Sequence, residues 1–252
     1  MKNSANGKLV MASNAIGNNS DIPLRSLEYV RTADLLVFEE DKPARQVLKT
    51  AGVHRDYLKF SEHIQKDTLD SVRSHLKEGK TVCYMSDQGV PTLADPGKHL
   101  LDIANDLGSQ IEVIPGPSSI TSALAACSFL TPRFYYLGFL PREDELRESL
   151  LKSLVDFPDC MVILDTPYRL KSLITTLKTI FPNNRRVLVA RDISLETEEY
   201  SSKKLEKLNS DTFPDKKNFV LVIEGKNKNP SSTTFEKKEQ NKKHVKKRVR
   251  RR

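Results

Sequence analysis

The chain has 252 residues, 38% apolar and 29% charged, enough apolar content to bury a core and too much for a disordered polymer. No apolar run approaches the roughly 18 residues that cross a bilayer, and the opening MKNSANGK lacks the apolar stretch of a signal peptide, so a cytoplasmic protein is expected. The formal net charge of +8 is unevenly divided: residues 226–252 hold twelve of the 41 basic groups and two of the 33 acidic ones, leaving 29 basic and 31 acidic groups elsewhere.

In chain order, KLVMAS (8–13) reads as a short buried strand, followed by a helix over 22–31 with Asp21 as N-cap and Pro23 in its first turn. LLVFEE (35–40) is a second strand, and a helix over 43–51 stops at Gly52. DYLKFS (56–61) is a third strand. A helix over 67–78 places Leu69, Val72 and Leu76 on one face and ends at Gly79. TVCYMS (81–86) is a fourth strand, a helix over 98–107 ends at Gly108, and QIEVIP (110–115) is a fifth strand. Alternation at this spacing argues for a parallel sheet with right-handed crossovers.

Beyond PGPSS (115–119) come a small-residue helix, SITSALAAC, then a strand at 133–140, an amphipathic helix at 143–155 and a central strand at 160–165. A helix over 168–180 and a strand over 185–192 follow. Strands at 193–201 and 218–224, with one short helix between, make a mixed second sheet. The fold class expected is α/β in two α/β domains, 8–117 with a parallel sheet and 118–225 with a mixed sheet, followed by a disordered basic tail, 226–252. That tail has almost no apolar residues to offset its ordering entropy. Its twelve basic groups suit non-specific contact with a phosphate backbone; a purely solubilising role is the alternative. The separated Cys83, Cys127 and Cys160 and the scattered histidines offer no disulfide or metal-ligand spacing. The cysteines read as small buried apolar residues and no metal is expected.

In an open α/β sheet, ligands bind beyond the carboxyl ends of the strands. Three Gly/Pro-rich loops fall there: SNAIGN (13–18), SDQGVPTLADPG (86–97) and PGPSS (115–119). Glycine lets backbone approach a ligand and proline fixes loop shape. DPG at 95–97 is equally an ordinary turn. No GxGxxG follows the first strand and no GxxxxGK[ST] occurs, which disfavours a dinucleotide-binding enzyme or a P-loop NTPase.

The ordered set AIGN (15–18), DIPLR (21–25), ADLLVFEE (33–40), SDQGVP (86–91), ADPG (94–97), PGPSS (115–119), GFLPR (138–142), TPYR (166–169), VLVARD (187–192) and FVLVIEG (219–225) resembles the tetrapyrrole-methylase superfamily of S-adenosylmethionine-dependent enzymes. Within it the likeness is greatest to the branch that methylates the 2′-oxygen of a cytidine in 16S ribosomal RNA. The resemblance implies two α/β domains, a homodimer, and S-adenosyl-L-methionine held in a cleft between the domains. By motif position it implies donor contacts from Asp87, Gly89, Val90, Ser118, Ser119, Leu164, Asp165 and Ala190. It implies that the loop Ser13–Asn18, with Asn14 and Asn18, faces the acceptor in the small ribosomal subunit.

The chain departs from the family at Asn14-Ala15 for Thr-Pro and at Gln88 and Val90 in the Asp-Ala-Gly-Thr-Pro loop. It departs again at Ser61-Glu62-His63 for His-Glu-His, at Tyr168 for a histidine, and at Ser194-Leu195 for Thr-Lys. Asp87, Gly89, Glu39, Arg169 and Arg191 are kept.

A ribose hydroxyl is a weak acid, so a nearby base would help its methylation. Glu39 is a candidate catalytic base, or else a carboxylate that caps the next turn. Asp87 either contacts the donor or bonds the amides of its own turn. Arg169 and Arg191 either grip RNA phosphates or pair with Asp165 or Glu198, and Arg142 is a further candidate for RNA contact. His63 reads as a surface or packing residue. Tyr135, Tyr136 and Phe139 read mostly as core by strand alternation. A ribosomal RNA methyltransferase, a methyltransferase of the same fold with a small-molecule acceptor, and a catalytically impaired RNA-binding paralogue all remain open.

Overall fold

Successive side chains of a strand point to opposite faces, so the nearly continuous apolar runs of the central strands bury the first sheet on both faces. A computed structural model of the chain describes residues 7–61, 66–92, 95–129, 131–213 and 216–226. His63, Glu62 and the tail beyond Lys226 lie outside the described residues. Contacts divide the chain into two units, Met1–Ser122 with Ser194–Glu196, and Ala123–Ile193 with Thr197–Arg252.

In the first unit, β1 (Lys8–Ala12), β2 (Leu35–Phe38), β3 (Leu58–Lys59), β4 (Thr81–Met85) and β5 (Gln110–Ile114) form one sheet in the order β3-β2-β4-β1-β5. Every pairing is parallel. Val10, Ala12, Leu36, Phe38, Cys83 and Met85 face α1 (Leu24–Thr32) and α2 (Asp41–Ala51), where Leu27, Val30, Val47 and Leu48 complete one core. Leu9, Met11, Val37, Val82 and Tyr84 face α3 (Lys66–Lys77) and α4 (Lys98–Asp106), meeting Val72, Leu76, Leu100 and Ile103. Each fully buried aliphatic side chain contributes roughly 1.5–3 kcal/mol.

The expected helices and strands of this unit are present, with two local corrections. The first helix begins at Leu24, not at 22, and its N-cap is Pro23, not Asp21. Asp21 instead ends a 3₁₀ turn, Asn19–Asp21, because the Asn18 side chain accepts the Ser20 amide and turns the chain earlier. The third strand is only Leu58–Lys59.

In the second unit, β6 (Phe134–Phe139), β7 (Cys160–Asp165), β8 (Arg186–Arg191), β9 (Glu199–Lys204) and β10 (Phe219–Ile223) pair in the order β6-β7-β10-β8-β9. Only β6 and β7 run parallel, so the sheet is mixed as expected. Met161, Ile163, Val187, Val189, Leu221 and Ile223 pack on α7 (Leu170–Ile180) through Leu170, Leu173, Ile174 and Leu177, and on Leu151 of α6 (Asp144–Ser153).

Several details differ from expectation. The strand expected at 193–201 starts at Glu199, since Asp192 and Ser194 take left-handed φ values of 46° and 71° and turn the chain. Two 3₁₀ turns, Leu205–Lys207 and Ser210–Thr212, replace the single short helix. Tyr135 and Phe139 are not core: they are 51% and 55% exposed. β6 is an edge strand, and its register shifts between Tyr136 and Gly138, which breaks the simple alternation. Cys83 and Cys160 are buried but Cys127 is only partly so. Lys226, counted with the tail, is in place: its amide donates to the Phe157 carbonyl at 2.8 Å and its ammonium pairs with Asp156 at 3.0 Å.

Candidate active site

The order β4-β1-β5 puts the three Gly/Pro loops side by side, because each leaves the carboxyl end of one of three neighbouring strands. They are bonded to one another. The Asn14 amide donates to the Gly89 carbonyl at 2.9 Å, and the Gly89 amide returns to the Ala15 carbonyl at 3.3 Å. The Asn14 side chain donates from Nδ2 to the Ser86 and Asp87 carbonyls at 3.3 and 2.9 Å, while its Oδ1 accepts the Ala15 amide at 2.8 Å. The Ser13 hydroxyl donates to the Ile114 carbonyl at 2.5 Å.

Gly89 sits at φ 70°, and a Cβ there would lie 3.2 Å from the Pro117 carbonyl and 3.3 Å from Ile16. At Gly116 a Cβ would lie 2.4 Å from the Ser13 Cβ. Bare backbone at these two positions is what lets the loops close on each other.

The end of β2 joins this edge through acidic residues. Glu39 accepts the Asp87 amide at 3.1 Å, and Asp87 accepts the Glu40 amide at 3.1 Å. Asp87 therefore bonds a neighbouring loop, not its own turn. The carboxylate that closes the turn is Asp95, which accepts the amides of Thr92 and Gly97 and the Tyr84 hydroxyl. DPG at 95–97 is thus a structural turn.

Burial holds the Glu39 carboxyl above its ordinary pKa. The Asp87 amide acts against this, and the charges of Asp87, Asp95 and Glu40 add to it. Burial likewise raises Asp87 against the Glu40 amide. Two half-buried carboxyls whose protons are held more tightly than usual, at a loop cluster, are a candidate for proton chemistry.

The other residues singled out in this unit divide into two groups. Asn14 is 5% exposed, and its side chain makes three hydrogen bonds that join the loops, which gives it a scaffold role. Ser118 and Ser119 are half-buried at the start of α5 (Ser119–Ala125), and no described residue hydrogen-bonds their hydroxyls. Val90 is half-buried and Gln88 exposed. Asn18 is exposed; its amide donates to the Ser194 hydroxyl at 3.1 Å.

In the second unit, Asp165 ends β7 with one carboxylate oxygen accepting the Thr166 amide at 2.7 Å and lying 3.3 Å from Arg169. Its other oxygen, Oδ2, is buried without a hydrogen-bond partner among the described residues. Burial raises the Asp165 pKa, opposed by the Thr166 amide and by Arg169 and Arg147. Arg169 also donates to the Leu140 and Pro141 carbonyls, so it pairs with Asp165 and clamps the GFLPR segment. Arg191 is buried, paired with Glu199 and stacked 4.8 Å over Phe213. For both arginines the ion pair is what the structure holds, not an open phosphate grip. Leu164 and Ala190 are inner strand positions, both opposite Val220. Arg142 has an exposed side chain.

Sequence reasoning passed over Arg147. It is 4% exposed and donates to the Pro141 and Arg142 carbonyls and to Asp144. Its signal was an arginine one helical turn before the buried Leu151, on the apolar face of an amphipathic helix.

Among the described residues no group of three or more His, Cys, Asp or Glu could hold a metal ion, and no helix is long and apolar enough to cross a membrane.

A family model described as Tetrapyrrole (Corrin/Porphyrin) Methylases matches residues 8–209. A Ribosomal RNA small subunit methyltransferase I of Thermotoga maritima is 34% identical over 194 residues, covering 77% of this chain and 86% of that protein. One from Escherichia coli O157:H7 is 27% identical over 223 residues, covering 87% and 78%. The fold is shared with a uroporphyrin-III-C-methyltransferase from Thermus thermophilus, with a TM-score of 0.59 at 19% identity over 87% of this chain and 94% of that one. It is shared also with a cobalt precorrin-4 methyltransferase, with a TM-score of 0.64 at 14% identity over 89% and 97%.

Proposed function

The chain belongs to the tetrapyrrole (corrin/porphyrin) methylase family, and from that premise we propose that it transfers a methyl group from S-adenosylmethionine to a ribose 2′-oxygen, that of a cytidine in small-subunit ribosomal RNA. The observation that carries the acceptor is the similarity, at 34% identity over 86% of its length, to a protein named for small-subunit ribosomal RNA methylation. The twelve basic groups of residues 226–252 support an RNA substrate, and such a substrate places the protein in the cytoplasm. A homodimer is part of the proposal on family grounds alone.

The residues present suit such a donor. Gly89 takes a φ of 70°, a conformation that side chains rarely adopt, so it presents bare backbone there beside Val90. Ser118 and Ser119 carry hydroxyls without protein partners among the described residues, and the orphaned Asp165 Oδ2 is a buried acceptor for a donor hydroxyl or amine. Leu164 and Ala190 are assigned by motif position only. When bound, S-adenosylmethionine supplies an electrophilic methyl group on a sulfonium.

The chain's own part is to orient, to exclude water and to take a proton. The loops are cross-bonded by amide and side-chain hydrogen bonds, and a rigid frame of this kind would hold donor and acceptor in line. Asp87 is fixed by the Glu40 amide, which leaves its second oxygen for a ligand. Glu39, with its proton affinity raised by burial, is the proposed acceptor of the ribose proton. Arg142 and Asn18, both exposed, are the proposed RNA contacts.

Calorimetry with S-adenosylmethionine tests the premise: saturable one-site binding supports it, and no heat of binding contradicts it. Removing residues 227–252, which spares the bonded Lys226, should weaken RNA binding and flatten its salt dependence while leaving donor affinity unchanged. An unaltered salt slope would refute the role given to those residues.

A further inference from the structure

A cleft of about 370 Å³ opens in the second unit beside the turn that follows β7, lined by Pro167, Tyr168, Lys171, Asp211, Phe213 and Lys216. Its volume is at the lower end of the roughly 300–1,000 Å³ usual for small-ligand sites, which suits one nucleotide and not a length of helix. Tyr168 is 72% exposed, and the Lys216 ammonium lies 4.6 Å from its ring centroid. Phe213 and Leu170, 5% and 2% exposed, form an apolar floor.

On the rim, Lys171 and Asp211 pair at 2.5 Å, with both side chains more than half exposed. A pair so exposed is weakly held, and a phosphate can take the place of Asp211. No carboxylate among the described residues pairs with Lys216. The cleft therefore offers a flat π surface, two ammonium groups and an apolar floor together. A ligand that matches all three has a flat face and a negative charge.

We propose that this cleft is a nucleotide subsite, in which Tyr168 stacks an unpaired base of the RNA while Lys216 and Lys171 hold the adjoining phosphate. The inference rests on the RNA methyltransferase reading and deepens it, because single-stranded RNA is recognised chiefly by stacking splayed bases on aromatic rings. Tyr168 is three residues beyond Asp165 on the same turn. A base held there would fix the strand relative to the carboxyl end of β7.

The test uses full-length protein and the variants Tyr168→Ala, Tyr168→Phe and Lys216→Ala. Two readouts are needed. One is binding of a fluorescein-labelled single-stranded oligoribonucleotide, measured at raised salt so that the basic tail is screened. The other is the KM and kcat for methylation of small ribosomal subunits. Stacking on one ring predicts that Tyr168→Ala weakens oligonucleotide binding by about 5- to 150-fold and raises KM more than it lowers kcat. Tyr168→Phe should match wild type, Lys216→Ala should be intermediate, and donor affinity should be unchanged in all three.

Equal losses in Tyr168→Phe and Tyr168→Ala would overturn stacking. Unchanged RNA affinity and KM in Tyr168→Ala, in a protein that still methylates subunits, would overturn the subsite and leave the transferase reading standing. Wild-type protein that binds donor but neither binds nor methylates RNA would overturn both.

Discussion

Replacing Asn14 by alanine should loosen the loop cluster at a cost that can be worked from its bonds. The side chain is 5% exposed, so water cannot readily take its place. Its removal strips the Asp87 carbonyl of a 2.9 Å donor and the Ala15 amide of a 2.8 Å acceptor; the third bond, to Ser86 at 3.3 Å, is weaker. A buried polar group left unpaired costs about 1–3 kcal/mol. Two such groups, partly relieved by relaxation, give a loss of roughly 2–4 kcal/mol. In a chain of this size each kcal/mol lowers Tm by roughly 2–4 °C, so scanning calorimetry should show a fall of about 4–16 °C. Donor affinity should fall as well, because Asn14 fixes the carbonyls of Ser86 and Asp87 next to Gly89. Asn14→Asp should be worse than alanine, since a carboxylate would face two carbonyl oxygens. An Asn14→Ala protein with unchanged Tm and donor affinity would refute the scaffold role.

Three further outcomes follow from the geometry. Glu39→Gln should reduce kcat by about 10²- to 10⁴-fold if the carboxylate takes the ribose proton, with donor affinity retained; full activity would remove Glu39 from the chemistry. The same variant has a stability signature. Burial raises the folded-state pKa of Glu39 above its unfolded value. Its contribution to stability is therefore complete below the ordinary carboxylate range and is lost as pH rises through the raised value. Denaturant titrations should show Glu39→Gln more stable than wild type at neutral pH, with the gap closing toward acid; a gap that widens toward acid would contradict this. Gly116→Ala places a Cβ 2.4 Å from that of Ser13, and the overpacking should cost about 1–3 kcal/mol and weaken donor binding; an unaffected donor isotherm would show that the loops need not close.

The first sheet was readable because β1, β2 and β4 are short apolar runs between capped helices, and burial on both faces leaves few alternatives. β6 was misread for a related reason. Its aromatic residues look like core, but nothing in FYYLGF reveals that the strand lies at an edge and carries a register shift at Gly138. The Gly/Pro loops were legible as a group, because only special backbone needs that composition. The role of each side chain in them was not. Asn14 and Asp87 both look like ligand contacts, yet Asn14 bonds two loop carbonyls and the Ala15 amide, and one Asp87 oxygen accepts an amide from the end of β2. Arg169 and Arg191 show the same limit. Their partners, Asp165 and Glu199, are near in sequence, but burial decides whether an arginine is a grip or a brace, and burial is a tertiary property. Tyr168 entered the sequence reading only as a departure; its value as a stacking surface came with Lys216, 48 positions along the chain.

The most direct measurement is nucleoside mass spectrometry of ribosomal RNA from small subunits that lack the modification, incubated with this protein and isotope-labelled S-adenosylmethionine. Labelled 2′-O-methylcytidine that appears only with donor and active protein is the predicted result. Label confined to a base, to a protein or to a small molecule, with none on a ribose oxygen, would contradict the account.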